Sequence, residues 1–129
     1  MNAARRYAQT QNETASPERL MVLLFATALR HMRVAITELE QGKLRAAAPL
    51  LLKASDIVVE LSATLDRSRA PELCEQLGEL YAFVALRLTR ASFSGDVKLV
   101  REAERVFAPV VDAFETAVHT SSQQSGAHP

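Results

Sequence analysis

The stretch "TASPERLMVLLFATALRHM", residues 14–32, decides how the chain reads. It opens as a helix start. Ser16 suits the cap, Pro17 suits the first helical position, and Glu18 suits the positive end of a helix dipole. Nine of the ten residues from Leu20 to Leu29 are apolar, and Thr27 is the exception. An amphipathic surface helix needs an apolar stripe, not an apolar circumference. Something beyond one neighbour must cover this helix.

Working outward, the same face continues through Met21, Phe25, Ala28, Met32, Ala35 and Leu39, at helical steps of four and three. The first helix is therefore expected from about Pro17 to Gln41, with Gly42 as its stop. A second is expected from about Leu44 to Leu65, on the seam Ala47, Leu51, Ala54, Val58, Leu61 and Leu65. Pro49 lies inside it, either in the first turn or at a kink. The polar loop from Asp66 to Ala70 leads to a third helix, about Pro71 to Ala91, with seam Leu73, Leu77, Leu80, Val84, Leu88 and Ala91. "SFSGD", Ser92 to Asp96, reads as a turn with Asp96 as the next cap. The fourth helix, about Val97 to Val118, has the seam Val100, Ala103, Phe107, Val110, Phe114 and Ala117, and Pro109 is expected to bend it.

Four helices of similar length on short connections pack best as antiparallel neighbours. The expected fold is all-α, an up-down-up-down four-helix bundle over residues 17–118. An extended or short helical N-terminal segment (1–16) precedes it, and a polar, disordered tail (119–129) follows.

The 129 residues suit one domain, and 48% are hydrophobic. Aromatics make up 5% with no Trp, and Ala and Leu are abundant, which favours helices. Fifteen basic and fifteen acidic residues give a formal charge of zero. No strong field then draws the chain to nucleic acid or an anionic membrane. Cys74 is the one cysteine, so no internal disulfide forms, and the chain reads as cytoplasmic. Arg5, Arg6 and the apolar run faintly resemble a signal peptide. Glu13, Pro17, Glu18 and Arg19 interrupt that pattern, and the apolar phase runs past the would-be cleavage site. No uninterrupted apolar run reaches the ~18 residues of a membrane span.

Catalytic patterns are missing. His31, His119 and His128 are scattered, whereas a zinc site needs three or four converging ligands. There is no GxGxxG, P-loop or HExxH pattern, and no Glu-x-x-His pair for a di-iron bundle. Glu72, Glu75 and Glu79 share one helix face and read as a solvated acidic stripe. No enzyme activity, catalytic residue, cofactor or metal is expected.

The excess apolar residues carry more information. Leu23 lies about 200° around its helix from Met21, opposite the seam. On the second helix Leu50 and Ile57 flank the seam on one side, and Leu52 and Val59 on the other. On the third, Leu86 lies opposite Val84. Wide apolar arcs can contact two neighbouring helices, or they can form a groove for a helix from another protein.

Several stretches resemble the flagellar secretion chaperones of the FliS type. "YAQTQNETASPERLMVLLFATAL" places Tyr7 ten residues before Pro17 of a T-A-S-P element, with Leu20 and "LLFATA" following, as in that family. "KASDIVVELSATLD", Lys53 to Asp66, is similar to the family's K-A-x-x-I-I-x-E-L-x-x-x-L-D. "QLGELYAFVALRLTRAS", Gln76 to Ser92, is similar to N-L-x-x-L-Y-x-Y-M-x-x-R-L-x-x-A-N. Phe114 falls where many members have Trp. Thr27 replaces a usual Gly, Asn12 a common apolar residue, Ala82 and Phe83 a polar-aromatic pair, and Ser92 an Asn. The order and spacing agree over about residues 7–118.

The resemblance implies a cytoplasmic helical-bundle chaperone that binds the C-terminal helical segment of flagellin. It would keep that segment from polymerising before export through the flagellar type III apparatus. Other export components are further implied partners, and self-association is compatible. The alternative is a helical module that homodimerises or binds another helix. Together with the outward apolar positions, the resemblance sets the expected partner-binding residues as Tyr7, Leu20, Leu23, Leu24, Leu52, Val59, Tyr81, Phe83 and Leu86. Tyr7 is expected to fold back over a groove near the first helix as a lid the client displaces.

Overall fold

The computed structural model describes residues 16–126, with side chains described as far as Ser121. Tyr7 and the expected N-terminal segment up to residue 15 lie outside the described residues. Within them are four helices and no strand: α1 (Pro17–Glu40), α2 (Leu44–Ala63), α3 (Pro71–Ser94) and α4 (Val97–Gly126). The backbone of α1 packs against α2 and α4, and that of α3 packs against the same two. The diagonal backbone pairs make no close approach. The chain is an all-α, up-down-up-down four-helix bundle.

Local chemistry sets the helix ends. The Ser16 side chain accepts from the Arg19 amide at 3.2 Å, and Pro17 starts the helix. At the other end Gly42 takes φ +74°. The Lys43 amide then donates to the Glu38 carbonyl at 2.8 Å and Gly42 to Leu39 at 3.0 Å. This pair of bonds is the Schellman stop, which needs a residue comfortable in the left-handed region. The second stop is Gly95 at φ +72°, and Asp96 caps α4 by accepting from the Lys98 amide at 3.0 Å.

Two boundaries differ from the sequence expectation. α3 continues through Ser92 and Phe93 to Ser94, so "SFSGD" is mostly helix and only Gly95 and Asp96 turn. The Ser92 hydroxyl donates to the Thr89 carbonyl at 2.6 Å, a bond that keeps a turn-forming side chain inside the helix. α4 runs on to Gly126 instead of ending near Val118, so residues 119–126 are helix, not disordered tail. No Gly or Pro stands between Val118 and Gly126, and Gln is a good helix former. Pro49 and Pro109 both lie within unbroken helices. Each is exposed, so the carbonyl it leaves without a donor sits on the watered side.

The core is built on Leu24, Met32, Leu51, Leu61, Leu88 and Phe107, all essentially without exposed surface. An aromatic cluster joins three helices through the middle. Phe25 of α1 has its centroid 5.8 Å from Phe107 and 4.8 Å from Phe114 of α4, and 6.4 Å from Tyr81 of α3. Tyr81 meets Phe107 edge-on at 6.4 Å. Such pairs add about 0.5–1.5 kcal/mol beyond their buried area. Burial pushes the Tyr81 phenol up to about 12.

The seam of α3 is corrected in its first half. Cys74 and Tyr81 are the buried residues there, while Leu73 is exposed and Leu77 and Leu80 are half-buried. The column Cys74, Tyr81, Leu88 points inward, and the neighbouring column Leu73, Leu80 lies about 100° round the helix from it, half-buried at Leu80 and exposed at Leu73. The Cys74 thiol donates to the Asp66 carbonyl at 3.3 Å, tying the α2–α3 corner to the start of α3.

Packing also accounts for most of the apolar circumference of α1. By length and composition the whole helix passes as a candidate membrane span, although no uninterrupted run does. Most of its apolar residues go to the bundle: Leu24, Phe25, Ala28, Leu29, Met32 and Ala35 are buried, and Leu20, Met21 and Ile36 pack against that core, while Leu23 is only half-buried and Val34 is exposed. A helix between two neighbours needs an apolar arc wide enough for both.

Candidate functional site

Two seams of the bundle are built from opposite materials. Between α1 and α4, charged side chains bridge the seam. Arg33 pairs with Glu104 at 2.9 Å, and Arg101 pairs with Glu40 at 2.9 Å. Arg33, Ile36, Arg101, Glu104 and Arg105 line a polar cleft of about 370 Å³ there.

Between α2 and α3 the floor is small and the rims are apolar. Ser55 of α2 reaches Thr89 of α3, hydroxyl to hydroxyl at 3.2 Å, and Thr89 donates back to its own helix at the Ala85 carbonyl. This link satisfies a buried serine and sets the antiparallel register. Val59 then stands abreast of Ala85 and Leu86, and Leu52 abreast of Ser92 and Phe93. A shallow cavity of about 310 Å³ opens here, lined by Val58, Val59, Ser62, Ala63, Tyr81, Ala82 and Ala85. Serines and alanines keep the floor low because they do not fill the space between the backbones.

Along the rims, large apolar side chains stand in water. Leu52 is 44% exposed, Val59 57%, Leu86 52% and Phe93 80%. They form two columns at heptad spacing, Leu52–Val59 on α2 and Leu86–Phe93 on α3. Scattered exposed apolar residues need no explanation, but these four flank one seam and leave a contiguous apolar surface uncovered.

The expected partner-binding residues separate into groups. Leu52, Val59 and Leu86 come together at this groove. Leu20 and Leu23 are half-buried on α1, away from it. Leu24 and Tyr81 are corrected: both are buried, and Leu24 presents no surface to a partner, while Tyr81 contributes only to the groove floor. Phe83 lies on the far side of α3, where the Arg87 guanidinium sits 4.6 Å above its ring. Arg87 Nε lies 3.0 Å from the Glu102 carboxylate of α4, close enough for an ion pair but poorly angled for a hydrogen bond. Tyr7 is outside the described residues.

Phe93 was hidden in the sequence by the turn-like "SFSGD". The available signal was the heptad column Glu72, Glu79, Leu86, Phe93, which continues straight through that segment. His31 is half-buried between α1 and α2, and its imidazole titrates below its ordinary value. Burial is the larger cause, with the Arg30 and Lys53 charges adding to it. Among the described residues, no three His, Cys, Asp or Glu side chains converge as metal ligands would.

Comparison with known proteins agrees with this geometry. The family model "Flagellar protein FliS" matches residues 1–121. A flagellar secretion chaperone FliS of Bacillus subtilis is 29% identical over 114 residues, covering 88% of this chain and 84% of the relative. One from Salmonella typhimurium is 32% identical over 114 residues, covering 84% of each. A solved structure described as a flagellar chaperone from bacteria superposes with a TM-score of 0.71 at 22% identity, over 92% of this chain and 96% of that one. The bundle, its order of helices and the match across nearly its whole length place this chain in the FliS family of flagellar secretion chaperones.

Proposed function

We propose that this chain binds the C-terminal helical segment of flagellin and holds it unpolymerised until export. The observation that carries the reading is the open α2–α3 groove, with Leu52, Val59, Leu86 and Phe93 exposed on its rims. A polymerising helix is adhesive because its apolar face awaits a neighbour, and a groove with a low floor offers a substitute. The work is binding, in keeping with a family of chaperones, and it takes place in the cytoplasm before the export gate. Release follows from competition at the export apparatus, a further partner.

Titration calorimetry of the full chain with a synthetic flagellin C-terminal peptide tests this. Binding at micromolar concentrations or tighter is expected. No binding, together with a stable homodimer, would favour the groove as a contact between two copies of this chain.

Tyr7 belongs to the same proposal as a competing lid. Removal of residues 1–10 is then expected to raise dye-accessible apolar surface and self-association of the free protein, with client affinity equal or higher. A fall in affinity with the free protein unchanged would make Tyr7 a client contact instead.

A further inference from the structure

The groove is not symmetric end to end. Past Leu86, the α3 rim column continues into Glu79 and Glu72, with Glu75 beside them, all exposed. Past Leu52, the α2 rim column continues into exposed Arg45, and exposed Arg90 stands on α3 between Leu86 and Phe93. None of these five charges has an ion-pair partner among the described residues. Neighbouring charges do not cancel the difference. At one end Asp66, Glu72, Glu75 and Glu79 outnumber Arg67 and Arg69 of the loop. Toward the other, Lys43, Arg45, Lys53 and Arg90 outnumber Asp56 of α2 and Asp96.

Glu79 and Arg90 are eleven residues apart on one helix, or about 16 Å at 1.5 Å per residue. That exceeds the ~8 Å screening length at physiological salt, so each end acts on its own. The backbone dipoles of α2 and α3 do not decide the polarity, because the two helices are antiparallel and their ends oppose each other. The side chains decide it.

Resting on the docking reading above, we propose that the groove sets the direction of its client. A docked amphipathic helix lies parallel to α3, with its N-terminus at the Glu75–Glu79 end and its C-terminus at the Arg45–Arg90 end. An apolar groove alone accepts a helix in either direction. A helix carries about half a positive charge at its N-terminus and half a negative charge at its C-terminus. Carboxylates at one end and guanidiniums at the other make one direction attractive at both ends and its reverse repulsive at both. Each end contributes about two- to five-fold, so the preferred direction wins by roughly ten-fold. The acidic stripe on α3 thereby acquires a role beyond solvation.

The test uses the full chain and a synthetic flagellin C-terminal peptide carrying a nitroxide at one terminus or the other. Paramagnetic broadening of the backbone amides reports where each terminus lies. The N-terminal label is expected to broaden Glu75 and Glu79, and the C-terminal label Leu52 and Phe93. Exchanging the end charges, by Glu75→Lys and Glu79→Lys with Arg45→Glu and Arg90→Glu, is expected to weaken binding about ten-fold or invert the broadening. The inverse pattern in the unaltered chain, or equal broadening at both ends, overturns the direction. If Leu86→Ser still weakens binding in that case, the docking reading stands alone. Broadening confined to other faces, with no response to Leu86→Ser, overturns both.

Discussion

The α1–α4 seam and the α2–α3 seam join helices of the same bundle, yet the first is lined by charges and the second by apolar side chains. Arg33–Glu104 and Arg101–Glu40 reach across α1–α4 and bridge it with the protein's own charges. Across α2–α3 the hydroxyls of Ser55 and Thr89 meet low in the floor, and Leu52, Val59, Leu86 and Phe93 are left without a cover. Exposed ion pairs contribute little to stability, and exposed leucines contribute less than buried ones. Neither seam surface therefore holds the fold. The core between them does, which leaves the α2–α3 surface uncovered without cost to the fold.

The contrast can be broken first at the core. Phe107→Ala removes a fully buried ring that touches Phe25 and Tyr81, and is expected to cost about 3–5 kcal/mol in denaturant unfolding. A loss no larger than that of a surface change would mean the seams do hold the fold. The open seam comes next. Leu86→Ser is expected to weaken flagellin-peptide binding about ten-fold or more, from the ~1.5–3 kcal/mol of burying a leucine, while the unfolding midpoint stays put. A sharp fall in the midpoint with affinity intact would make Leu86 a structural residue.

A smaller effect should follow from Tyr81, which forms part of the open seam's floor. Its phenol holds its proton to about pH 12 in the fold, against 10 when unfolded. Between those values the native state binds the extra proton, so stability falls as pH rises from 10 to 12. Comparing unfolding midpoints of the chain and of Tyr81→Phe over that range isolates this slope. The smallest effect belongs to the α1–α4 seam. Glu104→Ala is expected to lower stability by under about 1 kcal/mol and leave peptide affinity unchanged. A marked affinity loss there would place the client on the wrong seam.

Much of the bundle was legible because its punctuation is local. Ser16-Pro17, Gly42, Pro71 and Gly95 act within a turn, and the structure uses each where the sequence puts it. What failed was longer in reach. Periodicity places Leu73 and Cys74 only 100° apart, and tertiary packing chose Cys74 and Tyr81 for the inside. Leu24 looked like surplus because α1 has two neighbours, and a one-face reading counts only one. "SFSGD" has turn composition, but the Ser92 hydroxyl has a carbonyl to bond within the helix, so Phe93 was carried outward on α3. Leu52, Val59 and Leu86 were legible as outward residues from helical angle alone. That they share one groove needed the register set by Ser55 and Thr89.

Cys74 gives the corner between α2 and α3 a clock. It is the chain's one cysteine, it is buried, and its thiol donates to the Asp66 carbonyl on the loop that joins the two helices. An alkylating reagent can reach it only when that corner opens, so the time course of modification counts openings of the hinge end of the groove. No label needs to be engineered: the rate with and without a bound peptide would show how far occupation of the groove stills the corner that bounds it.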